Sequence, residues 1–178
     1  TPGYRAVLAI SLHVTIAFLF SGCKFAPLYG ESSAGDARFL KLVKIERIEN
    51  RSGQKLRTIL KQKFGQRSPP AKPRWSLTVK ISQEKRRLAL RQDSTTTRRE
   101  VTVTATFILQ ELNKSNNGML KGNSFSMSSF NELGSKYAML VAERDALDRS
   151  LSIIANDLRN RIMLAIRHPK FFEKPGAN

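Results

Sequence analysis

A chain of 178 residues, 40% hydrophobic and 25% charged, is long enough for one domain with a short extension and rich enough to close a core. Its 31 Lys and Arg against 14 Asp and Glu leave a charge of +17, which points to an anionic partner (nucleic acid, an acidic membrane surface or a phosphorylated lipid) and says nothing of the fold. One cysteine excludes an internal disulfide or a Cys-rich zinc site, and two histidines, His13 and His168, exclude the usual His-based metal centres and triads. No paired-carboxylate constellation stands out, so no enzyme, catalytic residue, metal or cofactor is expected.

Ala6 to Phe20 is a 15-residue apolar run behind Arg5, broken by Ser11, His13 and Thr15. A membrane-spanning helix needs about 20 apolar residues. A shorter run behind a basic residue and ahead of small ones reads as a secretory signal over residues 1–22, and a buried N-terminal helix is the plainer alternative. Leu19-Phe20-Ser21-Gly22-Cys23 resembles the lipobox of bacterial lipoproteins, with Phe20 where a small aliphatic residue is usual. A lone cysteine is more often a core residue. Here it directly follows the apolar run and Ser-Gly. The resemblance implies cleavage before Cys23, a diacylglycerol on its thiol and a further acyl chain such as palmitate on its amine. Several chains make a stable lipid anchor where one is marginal. Lys24 lacks the inner-membrane retention character of Asp, which implies the outer membrane.

Residues 23–36 read as a lipidated lead and a linker, with the flexible GESSAG stretch from Gly30 to Gly35. A single domain is expected over residues 37–168. Phe39 to Glu49 is read as a strand because Val43 and Ile45 alternate with Lys44 and Glu46. Asn50-Arg51-Ser52 offers a helix cap. Leu56, Ile59, Leu60 and Phe64 follow at helical spacing for about three turns, and Gly65 stands where a C′ glycine ends a helix.

Ser68 to Pro73 interrupts the chain. Trp75, Leu77, Val79 and Ile81 then alternate with polar residues, as do Val101, Val103, Ala105, Phe107 and Leu109, so two half-buried strands are expected. Leu88 and Leu90 change parity, which places a bulge near Gln83 to Arg87. Asn116-Asn117-Gly118 is a hairpin turn. A fourth strand runs from about Met119 to Phe130, with Phe125 and Met127 on one side. Ser135 can cap a last helix of about 28 residues, whose apolar stripe is Leu140, Leu147, Leu151, Ile154, Leu158 and Ile162. Asp145 with Arg149 and Asp157 with Arg161 are i,i+4 pairs on its outer face. Glu143 and Arg144 near its start are given a fold role. Residues 169–178 are expected to be a loose tail. The sequence is thus α+β, in the order β-α-β-β-β-α. It forms a two-layer sandwich of one four-stranded, mainly antiparallel sheet with two helices on one face.

Cys23 with Phe25-Ala26-Pro27-Leu28-Tyr29-Gly30, the strand Val101 to Leu109, and Tyr137-Ala138-Met139-Leu140-Val141-Ala142-Glu143-Arg144-Asp145-Ala146 together resemble the lipopolysaccharide-assembly lipoprotein family, LptE. The resemblance spans nearly all of the chain after residue 22, and its element order agrees with the one read from periodicity. It implies an outer-membrane lipoprotein, not an enzyme, that plugs the lumen of the β-barrel lipopolysaccharide translocon, LptD. It implies that the protein helps this barrel fold and binds lipopolysaccharide on its way to the cell surface.

The densest basic stretch is Lys85, Arg86, Arg87, Arg91, Arg98 and Arg99, at the end of the hairpin between the second and third strands. Two carboxylates, Glu84 and Asp93, lie among them. These six are the candidate lipopolysaccharide ligands, because guanidinium groups bind phosphate through charge-assisted, often bidentate hydrogen bonds. They could meet on one phosphate if the two strands bring them together near the turn. A solvated hairpin end, or pairing with carboxylates of the barrel lumen, would use the same residues. The rival function is a basic nucleic-acid-binding module. The signal segment and the absence of an RNP-type aromatic pattern or a G-x-x-G clamp argue against it, so no nucleic acid is expected as partner.

Overall fold

The structure is a computed structural model that describes residues 38–89, 98–112, 118–131 and 135–172. The signal segment, Cys23, the linker, Arg91, the Asn116-Asn117 turn and residues 173–178 lie outside the described residues.

Strand β1 is Val43–Ile45 alone, not the eleven residues expected. The reason is legible in burial. Leu40, Val43, Ile45 and Ile48 are all buried, at intervals of three, two and three, so period two holds only at Val43 and Ile45. A helical turn at residues 38–40 precedes the strand. Side chains take up nearby carbonyls. Gln66 Nε2 donates to those of Leu40 (2.9 Å) and Val43 (2.8 Å), and Arg57 Nε donates to that of Glu46 at 3.1 Å.

Helix α1 spans Asn50–Lys63. Asn50 takes φ +62°, which asparagine tolerates, and its Oδ1 accepts the Gly53 N–H at 3.0 Å. At the other end Gly65 has φ +66° and donates to the Gln62 carbonyl, while Gln66 donates to that of Lys61. These two bonds are a Schellman pattern, and Gly65 ends the helix as the C′ glycine it was expected to be.

Strands β2 (Trp75–Ala89), β3 (Arg98–Glu111) and β4 (Met119–Asn131) complete the sheet in the order β1-β2-β3-β4. β1 runs parallel to β2, with α1 in the connection, and the other pairs are antiparallel. The sheet is therefore mixed. The β2–β3 register slips between Arg87 and Ala89, at the edge of the expected bulge.

Helix α2 spans Lys136–Arg167, 32 residues, and the Ser135 hydroxyl accepts the Ala138 N–H. Both helices cover one face of the sheet. Leu56 and Leu60 of α1, with Phe64 just past its end, join Leu151, Ile154, Leu158 and Ile162 of α2 over Leu77, Val101, Val103, Ala105, Phe107 and Leu109. In the middle of β4, between Leu120 and Phe130, the inward residues are small: Gly122, Ser124, Ser126 and Ser128. The helix can therefore lie close enough for Ser150 Oγ to donate to Ser128 Oγ at 2.8 Å. Of the expected stripe, Leu147 is half-buried and Leu140 is 52% exposed, and the docked face at this end of the helix runs instead through Met139, Ala142 and Ala146. The start of the tail is less loose than expected. Pro169–Phe171 form a 3₁₀ turn, and Phe172 packs against the core.

Candidate functional site

The antiparallel register decides where the hairpin cations go. Lys85 stands opposite Val101 and Arg87 opposite Arg99, in phase with buried Val101 and Val103, so these three belong to the face that carries the helices. Arg86 stands opposite Glu100, and Arg86 and Arg98 share the other face. The two strands do approach as expected. Alternation, however, sends their side chains to opposite sides, so five of the six candidates do not converge on one phosphate. The sixth, Arg91, lies outside the described residues, as does Cys23.

On the open face Arg86 Nε donates to Glu84 Oε1 at 2.8 Å. That hydrogen bond, with the attraction of the guanidinium, holds the Glu84 carboxyl below the usual carboxylate range and raises Arg86 in turn. Arg98 Nη2 donates to Ser129 Oγ at 2.6 Å. On the helix face Lys85 pairs with Glu143 of α2. Glu143 thus ties the helix to the hairpin, which suits the fold role expected of it.

Beyond Glu143 the helices enclose a groove of about 200 Å³ that the sequence reading did not identify. Arg51, Ser52 and Lys55 of α1 face Leu140, Glu143, Arg144, Leu147 and Asp148 of α2 across it. Lys55 Nζ lies 2.5 Å from Asp148 Oδ2. Three of its lining residues are cations, two are carboxylates and two are leucines. The groove therefore offers an anion both charge and an apolar wall. A partial signal was present: Arg51 with Lys55, and Leu140, Arg144 and Asp148, recur at spacings of four, one helix face each. That the two faces meet is a tertiary fact. Among the described residues no helix is long and apolar enough to cross a membrane, and no group of three or more His, Cys, Asp or Glu could hold a metal.

Comparison with known proteins gives one family match, to the model described as lipopolysaccharide-assembly, LptE, over residues 40–162. A solved structure shares the fold. A putative lipoprotein from Caulobacter crescentus CB15 is similar with a TM-score of 0.61 at 17% identity, over 76% of this chain and 98% of that one. The rare lipoprotein B from Shewanella oneidensis gives a TM-score of 0.41 at 10% identity, covering 72% of this chain and 92% of its own. No curated protein matches.

Proposed function

The chain belongs to the lipopolysaccharide-assembly family, and we propose that it acts as an outer-membrane lipoprotein, anchored through acylated Cys23, that plugs and helps assemble the β-barrel lipopolysaccharide translocon. In that position it binds lipopolysaccharide during insertion at the cell surface. The observation that carries this reading is the extent of the family match. Residues 40–162 run from the first core side chain, Leu40, to Ile162 near the end of α2, so the match covers the whole two-layer unit and not a local motif.

The surface chemistry supports a phosphate-bearing lipid. Arg87 and Arg99 at the hairpin end, Lys85 beside them, and Arg51, Lys55 and Arg144 in the groove lie on the helix side and are linked through Glu143. Guanidinium groups suit phosphate through paired donors, and Leu140 and Leu147 give the groove an apolar wall for an acyl chain. A net charge of +17 adds long-range attraction to an anionic lipid.

The test is co-expression with an affinity-tagged translocon barrel, followed by purification in detergent and by cell fractionation. Stoichiometric co-purification from the outer membrane is expected. Recovery from the cytoplasm, without the barrel and with bound nucleic acid, would replace this reading with that of a basic nucleic-acid-binding module.

A further inference from the structure

Two long edges of the sheet are uncovered among the described residues. β1 pairs with β2 only over Trp75–Leu77, so β2 is free beyond Leu77, and β4 is free along its whole outer side. The sequence treats these edges differently. Val79 to Arg87 carries five charges in nine residues: Lys80, Glu84, Lys85, Arg86 and Arg87. Charge of that kind keeps an edge from pairing. Met119–Asn131 carries one charge, Lys121, in thirteen residues, has no proline, and keeps an unbroken register with β3. Among the described residues this longer edge has Lys121 as its single charge against pairing, and neither a proline nor a bulge.

The phase of the ladder is fixed at its start, where the Glu111 N–H donates to the Gly118 carbonyl at 3.0 Å. By alternation, the even-numbered residues of β4 bond to β3, and the odd-numbered ones turn their N–H and C=O outward. These include Lys121, Asn123, Phe125, Met127 and Ser129. Their side chains stand on the face away from the helices, where Phe125 is 67% and Met127 55% exposed. A cation flanks each end of this apolar pair: Lys121 on one side, and on the other Arg98, bonded to Ser129. From Lys121 to Ser129 is about 26 Å at strand rise.

We propose that the outer edge of β4 is a docking edge that takes one extended segment of a protein partner into the sheet. The segment that fits has about nine residues, apolar at the centre and with a carboxylate near each end. Main-chain hydrogen bonds supply the attachment, and Phe125 and Met127 select the register. A second copy of this chain is a poor occupant. Two antiparallel β4 strands centred on Phe125 would set Lys121 of each against the Arg98 end of the other, between chains of +17. The inference rests on the reading above in that the barrel protein is taken as the partner.

The experiment is amide hydrogen exchange on the full chain, alone and in complex with the co-expressed barrel. Alone, the amides of Lys121, Asn123, Phe125, Met127 and Ser129 should exchange quickly while their even-numbered neighbours are protected. In the complex the odd-numbered set should slow by at least ~100-fold. A complex that forms with these amides still fast overturns the docking edge and leaves the function standing. Failure of any complex to form overturns both. Protection that appears in the chain alone as concentration rises, with a doubled mass, overturns the heterologous occupant. A second arm uses Met127→Pro, which removes an outward N–H and no β3 bond, against Met127→Ala. The proline variant should lose at least ~10-fold of the complex relative to the alanine variant, and equal losses would refute main-chain pairing.

Discussion

Gly53 sets a helix rule against a packing fact. Glycine inside a helix costs about 1 kcal/mol relative to alanine, so sequence logic favours Gly53→Ala. The packing reverses the sign. A Cβ at this position would stand 2.6 Å from Ile48 Cγ2 and 3.1 Å from the Ile48 carbonyl carbon. Ile48 is 1% exposed, and the Gln54 side chain bonds its carbonyl, so neither atom has room to withdraw. Overpacking of this kind costs about 1–3 kcal/mol. Shifting the helix start to relieve it would weaken the Asn50–Gly53 bond, worth about 1 kcal/mol. The propensity gain is small in a first turn, so Gly53→Ala should destabilise by about 1–2 kcal/mol. For a domain of this size that lowers Tm by roughly 3–8 °C, measurable by circular dichroism. Ile48→Ala removes the obstructing methyl. In that background, itself destabilised by about 2–5 kcal/mol, Gly53→Ala should become neutral or stabilising. A higher Tm for Gly53→Ala in the parent, or the same shift in both backgrounds, would refute the steric account.

Leu151 is fully buried where α2 crosses the sheet, so Leu151→Ala should cost about 2–5 kcal/mol by denaturant titration, and an unchanged midpoint for Leu151→Asp would show that the stripe is not core. Cys23→Ala should abolish acylation and leave the protein unprocessed or out of the membrane fraction; mass spectrometry finding unmodified Cys23 in an uncleaved native chain would contradict the lipoprotein reading. Replacing Arg86, Arg87, Arg98 and Arg99 together by Gln should weaken lipopolysaccharide binding and flatten its salt dependence, in graded fashion because exposed pairs are worth about 0–1 kcal/mol each. Arg87 and Arg99 lie on the groove side, so the Arg87→Gln/Arg99→Gln pair should account for more of that loss than Arg86→Gln/Arg98→Gln, and equal losses would mean that only total charge matters.

Those pairings mark where sequence reasoning ended. Local physics was legible: alternation marked Val101 to Leu109, the Asn50 cap and Gly65 stop bounded α1, and Leu151 to Ile162 marked the docked side of α2. The extent of β1 was not. A buried turn at Leu40 and a strand at Val43 present similar apolar density, and only the interval between buried residues separates them. Leu140 continued a stripe by spacing but is 52% exposed and lines the groove facing α1, while Met139 and Ala142 beside it pack on the core. The basic hairpin shows the same limit most clearly. Charge density along a chain is one-dimensional, while a strand assigns neighbouring residues to opposite faces. Arg86 and Arg87 are adjacent in sequence and separated by the sheet. Arg51 and Arg144, 93 positions apart, line one groove. An anion of phosphate size meets a face, so the cations that can act together are those joined by register and helix packing. That moves the candidate ligand surface from the hairpin tip toward the helix side, where Glu143 joins Lys85 to the groove.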